Sequence, residues 1–152
     1  MNPKRWTSEQ FESMSWHDNH VHGLTLIEGE HGSGELLLDI DFIEEWIKDA
    51  TQFRFKVVPA TLRFMDVFDL SMELSYAAAS AAMGPFMIYA IERESYSYPN
   101  GGPAYRWRIP ITWPGGEISF TATGFDQIAR GQTVESSAQG LTRIQRDGVT
   151  SL

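Results

Sequence analysis

The chain has 152 residues, with 12 Lys and Arg against 20 Asp and Glu, for a formal net charge of −8. That length makes one domain, 1–152, and excludes a (β/α)8 barrel of roughly 250 residues. The absence of cysteine excludes disulfide scaffolds, thiolate zinc sites and cysteine nucleophiles and suits a reducing cytoplasm, while the acidic balance disfavours nucleic acid, whose phosphates are met by clustered Lys and Arg.

Behind Lys4 and Arg5 there is no run of ~7–15 apolar residues, so no export signal is expected. Thr7-Ser8-Glu9-Gln10 has the form of a capping box and predicts a short helix over 8–14, with Phe11 and Met14 on one face. From there the hydrophobic period is two. Runs 20–28 and 35–43 flank Gly29-Glu30-His31-Gly32-Ser33-Gly34 and predict a hairpin with a three-residue tip near Gly32. Pairing Leu24 with Ile40 and Leu26 with Leu38 collects Leu24, Leu26, Leu36, Leu38, Ile40 and Phe42 on one face. Asp39 and Asp41 then share the solvent face with Val21, Gly23, Thr25 and Ile27.

Residues 42–50 read as the end of that strand or one helical turn. A strand over 53–58 is closed by Pro59, and strands 61–65 and 67–74 bend around Asp66. The 18 residues from Leu74 to Ile91 carry no charge, the lower limit for crossing a bilayer. Ala and Ser supply little transfer energy, however, and Gly84-Pro85 interrupts the stretch. It reads as a small-residue connection or short helix over 75–83 and a strand over 86–93, with no membrane segment. A Tyr-, Pro- and Gly-rich loop follows over 95–103. The alternation from Tyr105 to Trp113 is a strand that Pro110 marks as an edge or a bulge, and Pro114-Gly115-Gly116 returns the chain into a strand over 118–124. From about 130 the tail is polar and irregular, with Leu141 and Ile144 as its apolar anchors. The fold expected is all-β with minor α: an antiparallel β-sandwich or open barrel with a short N-terminal helix.

The loudest chemistry is Trp16-His17-Asp18-Asn19-His20-Val21-His22. Two His at i and i+2 on a strand share a face and can ligate one metal ion, which makes His17, Asp18, His20 and His22 candidate ligands. Against this, no His occurs after His31, and the expected register sets His22 opposite Phe42 on the apolar face. A structural role outweighs metal here, and no cofactor is implied. Asp39 and Asp41 have the spacing of an acid–base or calcium pair but lack a calcium loop, so a solvated strand face is the plainer reading. Arg106 and Arg108 are placed to meet Glu92 or Glu94 across a sheet. There is no G-x-S-x-G elbow, and Gly32-Ser33-Gly34 is too short for a phosphate loop. Tyr96 and Tyr98, in a loop, are candidate partner contacts together with Asp39 and Asp41.

Ser15-Trp16-His17-Asp18, the strand Glu35-Leu36-Leu37-Leu38-Asp39-Ile40-Asp41, Pro59-Ala60-Thr61-Leu62-Arg63-Phe64 and Gly124-Phe125-Asp126-Gln127 together resemble a group of small bacterial proteins of uncharacterised function. The W-H-D start followed by an L-x-I-D strand is also similar to immunity-type proteins of bacterial toxin systems. The likeness is concentrated in residues 15–70 and implies no catalytic residue.

Two functions are consistent with these features. The first is a non-catalytic, cytoplasmic, acidic domain that binds a basic protein. The second is a small β-scaffold enzyme, or a ligand- or metal-binding protein, that uses the 16–22 histidine cluster. A barrel around an apolar cavity of ~300 Å³ or more is a weaker third.

Overall fold

A computed structural model describes residues 3–77 and 82–146. Alternating apolar and polar side chains make most of the chain strand, as the period requires. The strands are β1 (Arg5–Thr7), β2 (His20–Glu28), β3 (Gly34–Asp49), β4 (Gln52–Leu74), β5 (Phe86–Ile88), β6 (Glu92–Ser97), β7 (Pro103–Trp113), β8 (Gly116–Ala122), β9 (Gly124–Ala129) and β10 (Val134–Ser136). Every pairing among them is antiparallel. The order is β1-β9-β4-β3-β2-β5-β7-β6, with β10 on β4 and β8 bridging β4 and β7. The pairings therefore run β4, β3, β2, β5, β7, β8 and back to β4. Leu36, Leu38, Ile40, Leu62, Phe64, Ile88, Trp107, Ile109, Ile118 and Phe120 are sealed in the core. A second small cluster joins Ile43, Phe55, Val57 and Leu141.

The N-terminal element is a 3-10 turn over Ser8–Ser13, not an α-helix. Six residues are too few to nucleate an α-helix, and the tighter winding is the common form of such short pieces. Gln10 Oε1 still accepts the Thr7 N–H at 2.7 Å, and Phe11 and Met14 pack on the core.

The first hairpin differs from expectation by two residues. Leu24 pairs with Leu38 and Leu26 with Leu36, because the tip centres on His31. Gly29 donates to the Ser33 carbonyl at 2.9 Å, leaving Glu30-His31-Gly32 as the turn, with His31 and Gly32 at φ 57° and 81°. An even shift preserves the faces. A bulge between Val21 and Gly23 does not: it sends Val21 into the core opposite Ile40 and turns His22 away from the apolar face.

Residues 42–49 are strand, and a second bulge, between Ile43 and Glu45, explains their helix-like spacing, since Phe42 and Ile43 are both buried. Pro59 does not end its strand. Its carbonyl accepts Arg130 N–H at 2.6 Å where β9 stops and β10 has not begun, so no ladder donor is missing there. Pro110 is likewise inside the sheet, not at its edge; the other alternative, a bulge, has a counterpart two residues on, where the β5–β7 register shifts and leaves Thr112 extra on β7. Pro110 lies where the neighbour of β7 changes from β6 to β5, and its carbonyl accepts Tyr89 N–H at 2.9 Å. That change splits the expected strand 86–93 into β5 and β6, and Ser95–Ser97, expected as loop, belong to β6. β4 bends at Asp66 and Asp69, both in the left-handed region.

Of the connection or short helix expected over 75–83, residues 78–81 lie outside the described residues, while Tyr76 and Ala77 form a turn. Among the described residues no helix is long and apolar enough to cross a membrane. In the tail, Leu141 is buried as expected, but Ile144 is 86% exposed and anchors nothing, because it lies in the turn over 143–146, in which Arg146 and not Ile144 reaches back to the fold.

Candidate functional site

Two arrangements occupy one end of the β2–β3 pair. The first centres on Asp41. Its carboxylate is fully buried and accepts from His22 Nε2 at 2.6 Å, from the Leu141 backbone N–H at 2.8 Å and from Arg146, which also holds Asp39. The bulge at His22 is what brings its ring over Asp41. The expected solvated face of Asp39 and Asp41 is therefore corrected: the C-terminal segment folds over it, and its arginine pairs with both carboxylates. A buried carboxylate needs that many donors to stay in the interior.

The second arrangement is a hollow of about 760 Å³. It is lined by Trp46, Phe53 and Phe55 from β3 and β4, by His20 and Met87 from β2 and β5, and by Ser137–Thr142. Cross-strand pairing sets Trp46 opposite Phe55, and their rings meet edge to face at 5.0 Å. Gly140 lies flat on the His20 ring, where a Cβ would come within 2.6 Å of Cγ. His20 Nδ1 is buried with no hydrogen-bond partner.

Outside the hollow the aromatic surface continues as a row. Tyr89 meets His17 at 5.5 Å, His17 stacks on Trp46 at 6.2 Å, and Trp46 meets Phe53 at 6.1 Å. Tyr89, Trp46 and Phe53 are 55%, 41% and 51% exposed. His17 is held by its Nδ1, which donates to the Tyr89 carbonyl at 2.8 Å. Asp18, at φ 63°, lies 3.5 Å from His17 Nε2 and accepts from Gln139 Nε2 at 2.7 Å.

The four metal candidates thus divide. His17 stays with Asp18, His22 goes to Asp41, and His20 lines the hollow, where both aspartates act on it from a distance larger than a side-chain hydrogen bond. Among the described residues no three His, Asp or Glu groups are placed to hold a metal ion. Tyr98 stacks on Phe68 at 5.3 Å, while Tyr96 meets Tyr98 edge-on at 5.9 Å and is part-exposed. Arg108 meets Glu92 as expected, and Glu117 as well, whereas Arg106 reaches Asp69. The sequence reading missed Trp46, Phe53, Tyr89, Gln139 and Arg146. Glu44-Glu45-Trp46-Ile47-Lys48 held a signal for the first, an aromatic ring among charges on a strand.

Burial pulls the His20 pKa below its ordinary 6.5, against an upward pull from Asp41 and Asp18 and a further downward one from His22. The unfolded chain then takes up its proton at a higher pH than the folded one. Stability is therefore lost as pH falls from about 6.5 toward the lowered folded value, with a slope of at most about 1.4 kcal/mol per pH unit. Chemical denaturation at a series of pH values between neutrality and the carboxylate range should show this decline, and His20→Gln should flatten it. An unchanged slope in His20→Gln would assign the decline to other groups.

Comparison of the chain with protein-family models, with curated proteins and with solved structures gave no match in any of the three.

Proposed function

We propose that this chain is a non-catalytic, acidic protein-binding domain of immunity type, which receives a basic protein on the row Tyr89, His17, Trp46 and Phe53. The carrying observation is the row itself: three large, exposed rings linked through a histidine at the rim of a hollow. Trp and Tyr are among the residues on which protein interfaces concentrate their binding energy. Glu44 and Glu45, which precede Trp46, already pair with Lys4 and Lys56, so the attraction rests on the net charge of −8, which steers a basic partner toward the domain. The groups that a small hydrolase would need at one point are spread over separate contacts, and Asp41 already spends its carboxylate on three donors. As to architecture, the return of the strand pairings to β4 favours a barrel over a sandwich.

The test is capture from a lysate of the encoding organism at low salt, with the wild type beside Trp46→Ala and Phe53→Ala. A basic protein should be retained by the wild type, released by raised salt and bound about 30-fold more weakly by Trp46→Ala, the effect of losing a hot-spot ring. Retention by both variants at wild-type strength would move the interface elsewhere. An acidic or salt-insensitive partner, or none, would overturn the reading.

A further inference from the structure

We infer that the free edge of β2 is a self-association site, where residues 22–28 pair antiparallel with the same residues of a second copy of this chain. This inference is independent of the protein-binding reading. β5 covers only His20 and Val21 of β2. Continuing that register would bring Pro85 opposite His22, and a proline has no N–H to donate, so the pairing ends there. Among the described residues no other strand pairs with the outer side of 22–28.

The direction of the open hydrogen bonds follows from the hairpin. Gly29 bonds Ser33 across the tip, and the pairing from Gly23 to Glu28 is regular, so Gly23, Thr25 and Ile27 spend their backbone groups on β3. Leu24, Leu26 and Glu28 consequently aim N–H and C=O outward. Leu26 is also 55% exposed although its parity is that of the core, and Ile27 is 41% exposed on the other face. Soluble chains usually guard such an edge with lysine, proline or a short strand. From Gly23 to Ile27 this one carries neither a charge nor a proline.

A second copy fits because the edge is self-complementary. With a two-fold axis through Thr25, Leu24 meets the second copy's Leu26, and each pair exchanges two backbone hydrogen bonds. Thr25 meets Thr25 in a non-hydrogen-bonded site, where Cα atoms lie about 4.5 Å apart. The same register separates the acids: each Glu28 faces the His22 end of the other copy, not the other Glu28. Axes through Ile27 or Glu28 would bring those two carboxylates together, which disfavours them for a chain of charge −8.

Two variants test this directly. The wild type has no cysteine, so Thr25→Cys can form a disulfide only between copies. It should oxidise to a covalent dimer at least about tenfold faster than Glu73→Cys, a cysteine on another strand, because only the Thr25 site brings two Cβ atoms within disulfide reach. Leu26→Pro removes one outward N–H and leaves the β3 ladder intact. It should keep its far-ultraviolet spectrum and lower the dimer fraction in sedimentation velocity about tenfold relative to wild type. A wild type that sediments as a monomer across a hundredfold concentration range would overturn the inference. So would Thr25→Cys that cross-links no faster than Glu73→Cys.

Discussion

Replacing Asp41 by alanine is expected to destabilise the protein by about 3–5 kcal/mol, as measured by denaturant unfolding. The side chain is fully buried between the first hairpin and the C-terminal segment, and it is the shared acceptor for His22 Nε2, the Leu141 N–H and Arg146. Removing it leaves the Leu141 N–H and His22 Nε2 without their acceptor and Arg146 with Asp39 alone, and the Arg146 side chain is itself only 10% exposed. Asp39 accepts from the same arginine at a more open position, so Asp39→Asn should cost far less. The loss at Asp41 should also be local before it is global. Leu141 closes the small cluster with Ile43, Phe55 and Val57, and Ser137–Thr142 line the hollow. Amide exchange at 137–142 should therefore accelerate in Asp41→Ala well below its unfolding midpoint. Unfolding within about 1 kcal/mol of wild type would show that Arg146 and Leu141 are held by other contacts.

The same residue shows what period-two reading delivers and where it stops. The alternation Leu36, Leu38, Ile40 identified the buried face of β3 because a one-residue slip would have set leucine against aspartate. It assigned Asp39 and Asp41 to water because the opposite face of an isolated hairpin is wet. Their cover comes from Leu141 and Arg146, a hundred residues later, in a stretch with no periodicity of its own. Bulges account for two of the local differences. Each inserts one residue that no pattern announces, and at His22 and Glu44 this changed which side chains share a face. The prolines misled for a related reason. Pro59 and Pro110 are interior, yet each sits where one neighbouring strand hands over to the next, an event of tertiary pairing. The histidines were conspicuous as residue types, and the structure divides them among separate contacts. The aromatic row was less legible. Tyr89, His17, Trp46 and Phe53 come from four places in the chain, and only the adjacency of β3 and β4 relates any two of them in advance.

Trp107→Ala is the second large effect, about 3–5 kcal/mol, equivalent to a fall in Tm on the order of 10 °C for a chain of this length. Trp107 has no exposed surface. Its ring meets Phe64 at 5.1 Å, Phe11 at 5.5 Å, Tyr105 at 5.7 Å and Phe125 at 6.0 Å, which ties β7 to β4, β9 and the N-terminal turn. Its Nε1–H donates to the Ala122 carbonyl at 3.1 Å. Arg93 lies 4.2 Å above both the Phe11 and Tyr105 rings, so the aromatic stack is closed by a cation that loses its support if the stack collapses. Alanine opens a cavity that four rings on different elements cannot jointly fill. Trp107→Phe keeps most of the volume and forfeits the indole hydrogen bond, at a cost nearer 1–2 kcal/mol. Trp46→Ala provides the contrast. Its ring is 41% exposed and packs on Phe53 and Phe55 at the rim, so thermal unfolding should move little while partner capture fails. Equal losses of stability at both tryptophans would make Trp46 a structural residue and remove the aromatic row as a binding surface.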